Sequence, residues 1–266
     1  MNKFLSKFYV GLVFAFLYLP IIVLIIFSFN ESKGTIWTGF SFKWYVELVK
    51  NEEIITSLLN TLFVALIASL CSAILGTAAA VGMHNMKKLP KSFLKNATYL
   101  QNLNPEIVTG ISLMLLFTFF KLNGGYLTLI LAHITFCVPT VVLNVLPKLR
   151  QMNVNLYEAA MDLGCNRRQA FFKAVMPEIM PGVVTGTLMA LTYSIDDFVI
   201  SYFTSGPTTQ TLPVTIYSMT KKRISPEINA LSTILFVVVL AILIIVNVIS
   251  AKKEKEEARK ASTFRK

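Results

Sequence analysis

Six stretches of the chain are almost wholly apolar: roughly Phe8 to Phe29, Leu58 to Met83, Ala97 to Phe120, Leu122 to Leu146, Pro181 to Thr204 and Ile228 to Ser250. A helix crosses a hydrocarbon core of about 30 Å with about 20 residues, because each residue rises about 1.5 Å. Lipid offers the backbone no hydrogen-bond partner, so the pattern predicts an all-α integral membrane protein with six transmembrane helices. Pro20 and Pro139 are expected to be local kinks rather than breaks. Small residues at helical spacing, Gly182 with Gly186 and Gly76 with Ala80, are expected to let neighbouring helices approach closely. The first run follows Lys3 and Lys7 as a signal peptide would. It is too long and ends without a small-residue cleavage site, which predicts a retained spanning helix.

Six spans put both termini on one side, and the basic residues choose the side. With cytoplasmic termini, 18 of the 25 Lys and Arg residues lie in inner segments; the other 7 are Lys33, Lys43, Lys50, Lys121, Lys221, Lys222 and Arg223. The expected domains are a first helix and outer loop (1-56), a permease core (57-250) and a charged cytoplasmic tail (251-266).

Composition agrees with this picture. The chain is 55% hydrophobic, above the 45–50% or so of soluble domains, and its mean hydropathy is positive. The net charge of +11 is spread between apolar stretches, which argues for membrane-edge charge and against nucleic acid. Cys71, Cys137 and Cys165 are widely spaced, and two of them fall in apolar runs, so no disulfide framework is expected.

Between the fourth and fifth spans lies an inner loop too long for a simple connector. Asn155 with Glu158 has the form of a capping box, and Gly164 after Leu163 suits a left-handed helix stop, so residues 155–163 read as a short helix. Asn166 with Gln169 repeats the cap and opens a second short helix, expected to end near Pro177. Together they make a compact peg, with Ala159 and Ala160 on one helix and Arg167 and Arg168 on the other. Such a peg suits docking into another protein, and it equally suits an amphipathic hairpin on anionic lipid.

Glu158-Ala159-Ala160, with Asp162, then Gly164, Arg167 and Met176-Pro177, resembles the "EAA" loop of ABC importer permeases. Ala174 and Met176 depart from the Ile and Leu of the family pattern. The resemblance implies a type I ABC importer permease fold in which this loop forms the coupling helix, seated in a cleft of an ATP-hydrolysing subunit. The chain has no Gly-x-x-x-x-Gly-Lys-Ser/Thr phosphate loop, so the energy is expected to come from a partner. No His-Glu-x-x-His motif is present, and His84 and His133 are far apart. His133 reads as a packed, hydrogen-bonded residue. The expectation is no catalytic site, no metal and no cofactor on this chain, with ATP and Mg held by the ATPase.

Within the fifth span sit Asp196 and Asp197, and a carboxylate at the bilayer centre costs on the order of 2.5–3.5 kcal/mol. Counting from Pro181 places Asp196 about 23 Å along the helix, in the outer half. Successive residues point about 100° apart, so only one acid of the pair is expected to face a pathway. Glu106, after Asn104-Pro105 in the third span, is the other carboxylate at depth, and no Lys or Arg shares either span. This imbalance favours a cationic cargo, to which Tyr193, Tyr202 and Tyr217 add cation–π attraction.

Asp196-Asp197-Phe198-Val199, Gly206-Pro207, Leu212-Pro213 through Tyr217-Ser218-Met219, and Ser225-Pro226 through Asn229-Ala230 together resemble the spermidine/putrescine permeases of the PotC type. Trp37 to Tyr45 is similar to the first outer loop of the wider superfamily. The resemblance implies a polyamine importer in the inner membrane. Its expected partners are a second homologous permease, two copies of an ATP-binding cassette ATPase and an external polyamine-binding protein. Ferric iron and thiamine remain alternative cargoes. An ion-coupled secondary transporter is the alternative of another class.

Overall fold

The computed structural model describes residues 3–33, 36–153, 155–222, 226–237 and 240. Among these the chain is helical without a strand; the sole pairing of extended backbone is one antiparallel bridge between Asn30 and Phe40. It divides into two compact units, one of residues 1–52 with 216–266 and one of residues 53–215.

In the first unit, α1 (Lys3–Ser28) runs unbroken through Pro20. None of its most apolar stretch is buried, as suits a helix that meets lipid or another chain. The loop that follows folds around Asn30, whose side chain is fully buried. Its Nδ2 donates to the Ile36 carbonyl at 2.9 Å, and its Oδ1 accepts the Thr38 amide at 2.9 Å. Trp44, at the start of α2 (Lys43–Lys50), donates its indole N–H to the Asn30 carbonyl at 2.6 Å. Phe29 packs among Phe40, Phe42 and Tyr45 with ring centroids 5.1–5.4 Å away. The expected outer segment from Trp37 to Tyr45 is thus a built loop. Helix α12 (Pro226–Val237) covers the start of the sixth expected span; apart from residue 240, the rest of that span and the tail 251–266 lie outside the described residues.

The second unit holds most of α3 (Glu52–Asn85), α4 (Lys88–Leu103), α5 (Glu106–Phe119), α6 (Tyr126–Gln151), α7 (Asn155–Asp162), α8 (Arg167–Ala170), α9 (Met176–Asp196), α10 (Val199–Thr204) and the start of α11 (Leu212–Lys222). Its core is the seam of α6 with α9, where Val141, Val145 and Leu149 meet Val175, Ile179 and Ala190, with Ala80 and Met83 of α3 alongside. The expected small-residue contacts are present. A Cβ at Gly186 would stand 3.0 Å from Val141 Cα, one at Gly182 would stand 2.8 Å from the Asn144 carbonyl, and one at Gly76 would stand 2.6 Å from Val141 Cβ. The missing methyl groups are what let the three helices touch.

Buried polar groups cross-link the helices. Asn60 of α3 accepts from Tyr126 Oη at 2.6 Å and donates to the Gln210 carbonyl at 3.1 Å. Ser57 pairs with Thr215 at 2.6 Å. Such bonds hold a chain together where lipid removes the hydrophobic drive between helices.

Helix lengths correct the expected spans. Among the described residues four helices are long and apolar enough to cross a membrane: Lys7–Ser28, Glu52–Asn85, Tyr126–Gln151 and Arg167–Asp196. Glu106–Phe119 and Pro226–Val237 are shorter apolar helices, so helix length by itself does not confirm the count of six. The third expected span is divided, because α4 stops at Leu103 and α5 starts at Glu106. Pro105 has no N–H to donate, and it holds Asn104 in extended conformation (φ −65°, ψ 137°). The fifth is divided too, with α9 ending at Asp196 and α10 beginning at Val199. Pro139 sits inside the unbroken α6, as expected.

The peg also departs from expectation in two details. The amide of Asn155 is bonded by Asn153 Oδ1 at 3.0 Å, so the cap of α7 sits two residues before the expected one. The second short helix does not end near Pro177. It passes through a π-helical turn, Phe171–Val175, into α9 and forms one helix from Arg167 to Asp196. A proline in regular α-register clashes with the carbonyl four residues back; the wider turn, closed by the Met176 amide on the Phe171 carbonyl, gives Pro177 room.

Candidate functional site

The two helix breaks meet at one place. A cleft of about 470 Å³ is lined by the end of α4 (Gln101, Asn102), the first break (Asn104), α5 (Glu106, Thr109), α6 (Phe136, Thr140), the end of α9 (Tyr193, Asp196) and the second break (Asp197 to Ile200). Of the residues expected along a pathway, Glu106, Tyr193, Asp196 and Asp197 are brought together. Tyr217 is not among the lining residues; it lies on α11 in the other unit, with Lys221 Nζ 4.7 Å from its ring centroid.

The adjacent acids both line the cleft but differ in exposure, and Asp197 sits in the extended break after α9. Asp196 is exposed, whereas Asp197 is buried. Asp197 turns its carboxylate onto the start of α10, accepting the Ile200 amide at 3.3 Å and the Ser201 amide at 2.7 Å. A bond to a charged acceptor contributes about 1.5–3 kcal/mol. Two of them offset the 2.5–3.5 kcal/mol or so that a carboxylate at membrane depth costs. Asp197 thus satisfies the amides that the break releases, and Asp196 is left exposed at the cleft.

Glu106 is the first residue of α5, where the positive end of the helix dipole favours a carboxylate, and it is exposed. The negative end of α9 lies at the cleft as well, since the break frees the carbonyls of its last turn. Two exposed carboxylates, an exposed tyrosine ring and three amide side chains, with no Lys or Arg among the described lining residues, make a negative, hydrogen-bonding cleft. Such a surface suits an extended ammonium compound rather than an anion.

Behind the cleft lies His133, packed and hydrogen-bonded as the sequence predicts. His133 of α6 is fully buried, with Nδ1 2.6 Å from Ser194 Oγ, Nε2 3.0 Å from Ser201 Oγ and Nε2 3.7 Å from Asp197 Oδ2. The lining amides Gln101 and Asn102 carry no sequence signal of their own beyond their place just before the Asn104-Pro105 break in an apolar run. Among the described residues no group of three or more His, Cys, Asp or Glu side chains is arranged to hold a metal.

The peg is assembled as a unit. Gly164 adopts φ +85°, with its amide on the Met161 carbonyl (2.9 Å) and the Cys165 amide on the Ala160 carbonyl (3.1 Å), the paired bonds of a Schellman stop. Asn166 and Gln169 make the reciprocal capping box, at 2.9 and 3.0 Å. Tyr157 and Phe171 anchor the peg to the α6–α9 core. Glu158, Ala159, Asp162, Arg167, Arg168 and Pro177 are exposed, while Ala160 is half-buried. Leu163, 86% exposed, is an apolar tip that the sequence reading did not single out.

The chain matches the family described as "Binding-protein-dependent transport system inner membrane component" over residues 72–252. It is 38% identical over 244 residues to the spermidine/putrescine transport system permease protein PotC of Escherichia coli (strain K12), covering 91% of this chain and 92% of that one. To the putrescine transport system permease protein PotI of the same strain it is 38% identical over 257 residues, covering 92% and 90%. Among solved structures it is similar to a chain of a bacterial ABC transporter involved in the import of the acidic polysaccharide alginate. The TM-score is 0.73 at 15% identity, covering 92% of this chain and 94% of that one, a likeness of fold. A multi-pass membrane chain built from interrupted helices therefore belongs to the binding-protein-dependent transport system inner membrane components, as an ABC importer permease of the PotC type.

Proposed function

We propose that this permease admits polyamines, spermidine and putrescine, to the cell. One observation carries the reading: the cleft at the two helix breaks gathers Glu106 and Asp196 beside Tyr193 with no basic side chain lining it among the described residues. Extended cations with terminal ammonium groups fit that surface by charge pairing and cation–π contact. The names of the PotC and PotI relatives support the same cargo. Ferric iron and thiamine are the competing solutes within the class. An ion-coupled secondary transporter would have no use for the peg.

In this reading the path is shared with a second homologous permease, and an external polyamine-binding protein delivers cargo to the outer loops, the 37–45 segment included. Two copies of an ATPase hold ATP and Mg, and they act on the peg from Glu158 to Pro177. The 30-residue helix from Arg167 to Asp196 is about 45 Å long, more than the hydrocarbon core requires. It runs without interruption from the peg to the cleft, so a push at Arg167 reaches Asp196. The bundle then rocks between inward-open and outward-open states. Both termini face the cytoplasm, where the basic residues concentrate. Residues 1-56 form the first helix and outer loop, 57-250 the permease core and 251-266 the cytoplasmic tail.

The test is ATP-driven uptake of labelled spermidine and putrescine by liposomes holding the full set of subunits. Wild type should accumulate both, and the Glu106→Gln/Asp196→Asn double variant should lose uptake while keeping nucleotide-stimulated assembly. Full uptake by the double variant, or uptake of iron or thiamine in place of polyamine, would refute the assignment.

A further inference from the structure

The imidazole of His133 touches both sides of the second helix break at once. Ser194 lies in the last turn of α9, Ser201 lies in α10, and the ring of a third helix, α6, stands between them at 2.6 and 3.0 Å. In an unbroken helix those two serines would be separated by about 10.5 Å along the axis. Two hydrogen bonds and one ring width fit that rise poorly, so the bridge belongs to the broken chain.

The hydrogen-bond roles close with a single proton on the ring. Ser194 donates to Nδ1, Nε2–H donates to Ser201 Oγ, and the Ser201 hydroxyl donates on to the Asp197 carboxylate, which already holds the Ser201 amide at 2.7 Å. Every polar atom of this fully buried set then has a partner. The same set separates the roles of the two acids: both line the cleft, but Asp197 is buried and tied to the Ile200 and Ser201 amides, which leaves Asp196 as the exposed carboxylate. An unpinned break would be free to close into continuous helix, which would carry both carboxylates around the axis.

We propose that His133 is a positioning residue for cargo binding. Its imidazole clamps the α9–α10 break so that Asp196 is exposed at the cleft while the Asp197 carboxylate is held on the amides of α10. The proposal deepens the polyamine reading and rests on it for the identity of the cargo, but the clamp itself does not depend on which solute is carried. It predicts that losing the ring changes affinity more than turnover, because the peg on which the ATPase acts in this reading lies at the other end of the helix from Arg167 to Asp196.

The experiment compares wild type, His133→Ala and His133→Gln in the complete complex reconstituted in lipid. Glutamine supplies a donor and an acceptor from one side chain and serves as the rescue. Hydrogen exchange of the 195–204 peptide reads the clamp without any cargo, and the concentration dependence of labelled spermidine uptake reads its consequence. For His133→Ala we expect faster exchange confined to that peptide and a KM raised about tenfold, as for one buried hydrogen-bonded group lost, with maximal uptake within about twofold of wild type. His133→Gln should recover most of both. Should His133→Ala fail to assemble, Ser194→Ala and Ser201→Ala take its place, each raising KM, with the double variant little worse than either. Unchanged exchange in these variants overturns the clamp, and unchanged KM with faster exchange overturns its role in binding. If wild type carries no spermidine, the polyamine reading fails by itself, and the positioning claim then stands or falls on the exchange data.

Discussion

Asp197 Oδ2 accepts the backbone amide of Ser201 at 2.7 Å, and the residue before it, Asp196, lines the open cleft. One peptide unit separates a carboxylate that holds the backbone from a carboxylate available to cargo. Asp197→Ala should lower the thermal midpoint of the detergent-solubilised complex, a loss of about 1–3 kcal/mol for each of the two unmade amide bonds. Asp196→Asn should leave the midpoint in place and raise the spermidine KM about tenfold. Equal effects of the two substitutions on both measurements would contradict this division.

Helix approach supplies a second prediction. A side chain at Gly186 meets the Val141 backbone, whereas nothing lies within 4 Å of a Cβ at Gly82. Gly186→Val should destabilise the complex by about 1–3 kcal/mol through overpacking. Gly82→Ala should be neutral or stabilising by about 0.5–1 kcal/mol, since a helical glycine gives up more backbone freedom on folding than alanine. Thermal unfolding of the two variants side by side distinguishes them.

The stop of α7 gives a third. At φ +85° a β-branched residue is strained by roughly 1–2 kcal/mol. Gly164→Val should weaken association with the ATPase and reduce uptake, with membrane insertion unaffected. Gly164→Asn, which tolerates the left-handed region, should behave close to wild type. Pull-down of the ATPase by each variant reads the difference.

The outer loop offers a fourth. Asn30 holds the Ile36 carbonyl and the Thr38 amide from a fully buried position. Asn30→Ala should remove two part-buried hydrogen bonds from exposed loop residues, at about 0.5–1.5 kcal/mol each. Limited proteolysis should then cut within residues 31–41 faster than in wild type, while the helices stay protected. An unchanged cleavage rate would show that the aromatic cluster around Phe29 suffices to hold the loop.

The peg was legible because its signals are local. Gly164, Asn166 and Gln169 act on backbone within a few residues, so their chemistry can be read off neighbouring letters. The cap of α7 was misplaced by two residues because Asn153 and Asn155 carry the same side chain, and only geometry tells which one bonds the first free amide. The end of the second short helix was misjudged for a related reason: Pro177 usually terminates, but a π-helical turn before it removed the clash. That His133 is packed and hydrogen-bonded agrees with the sequence, but one letter in an apolar run does not disclose which partners it bonds, 61 and 68 residues away in α9 and α10.

By itself the sequence determined what depends on composition and short-range order: the long apolar helices, the two capped short helices of the peg and the presence of carboxylates without bases in two apolar runs. These follow from hydrophobic length, charge and backbone capping, which act within a turn or two of the residue concerned. The meeting of the Asn104-Pro105 and Asp197-Phe198 breaks at one cleft, and the separate duties of two neighbouring aspartates, were decided by tertiary structure. That decision needed α6 to bring His133 against both halves of the broken helix, and such a contact exists only once distant segments have packed.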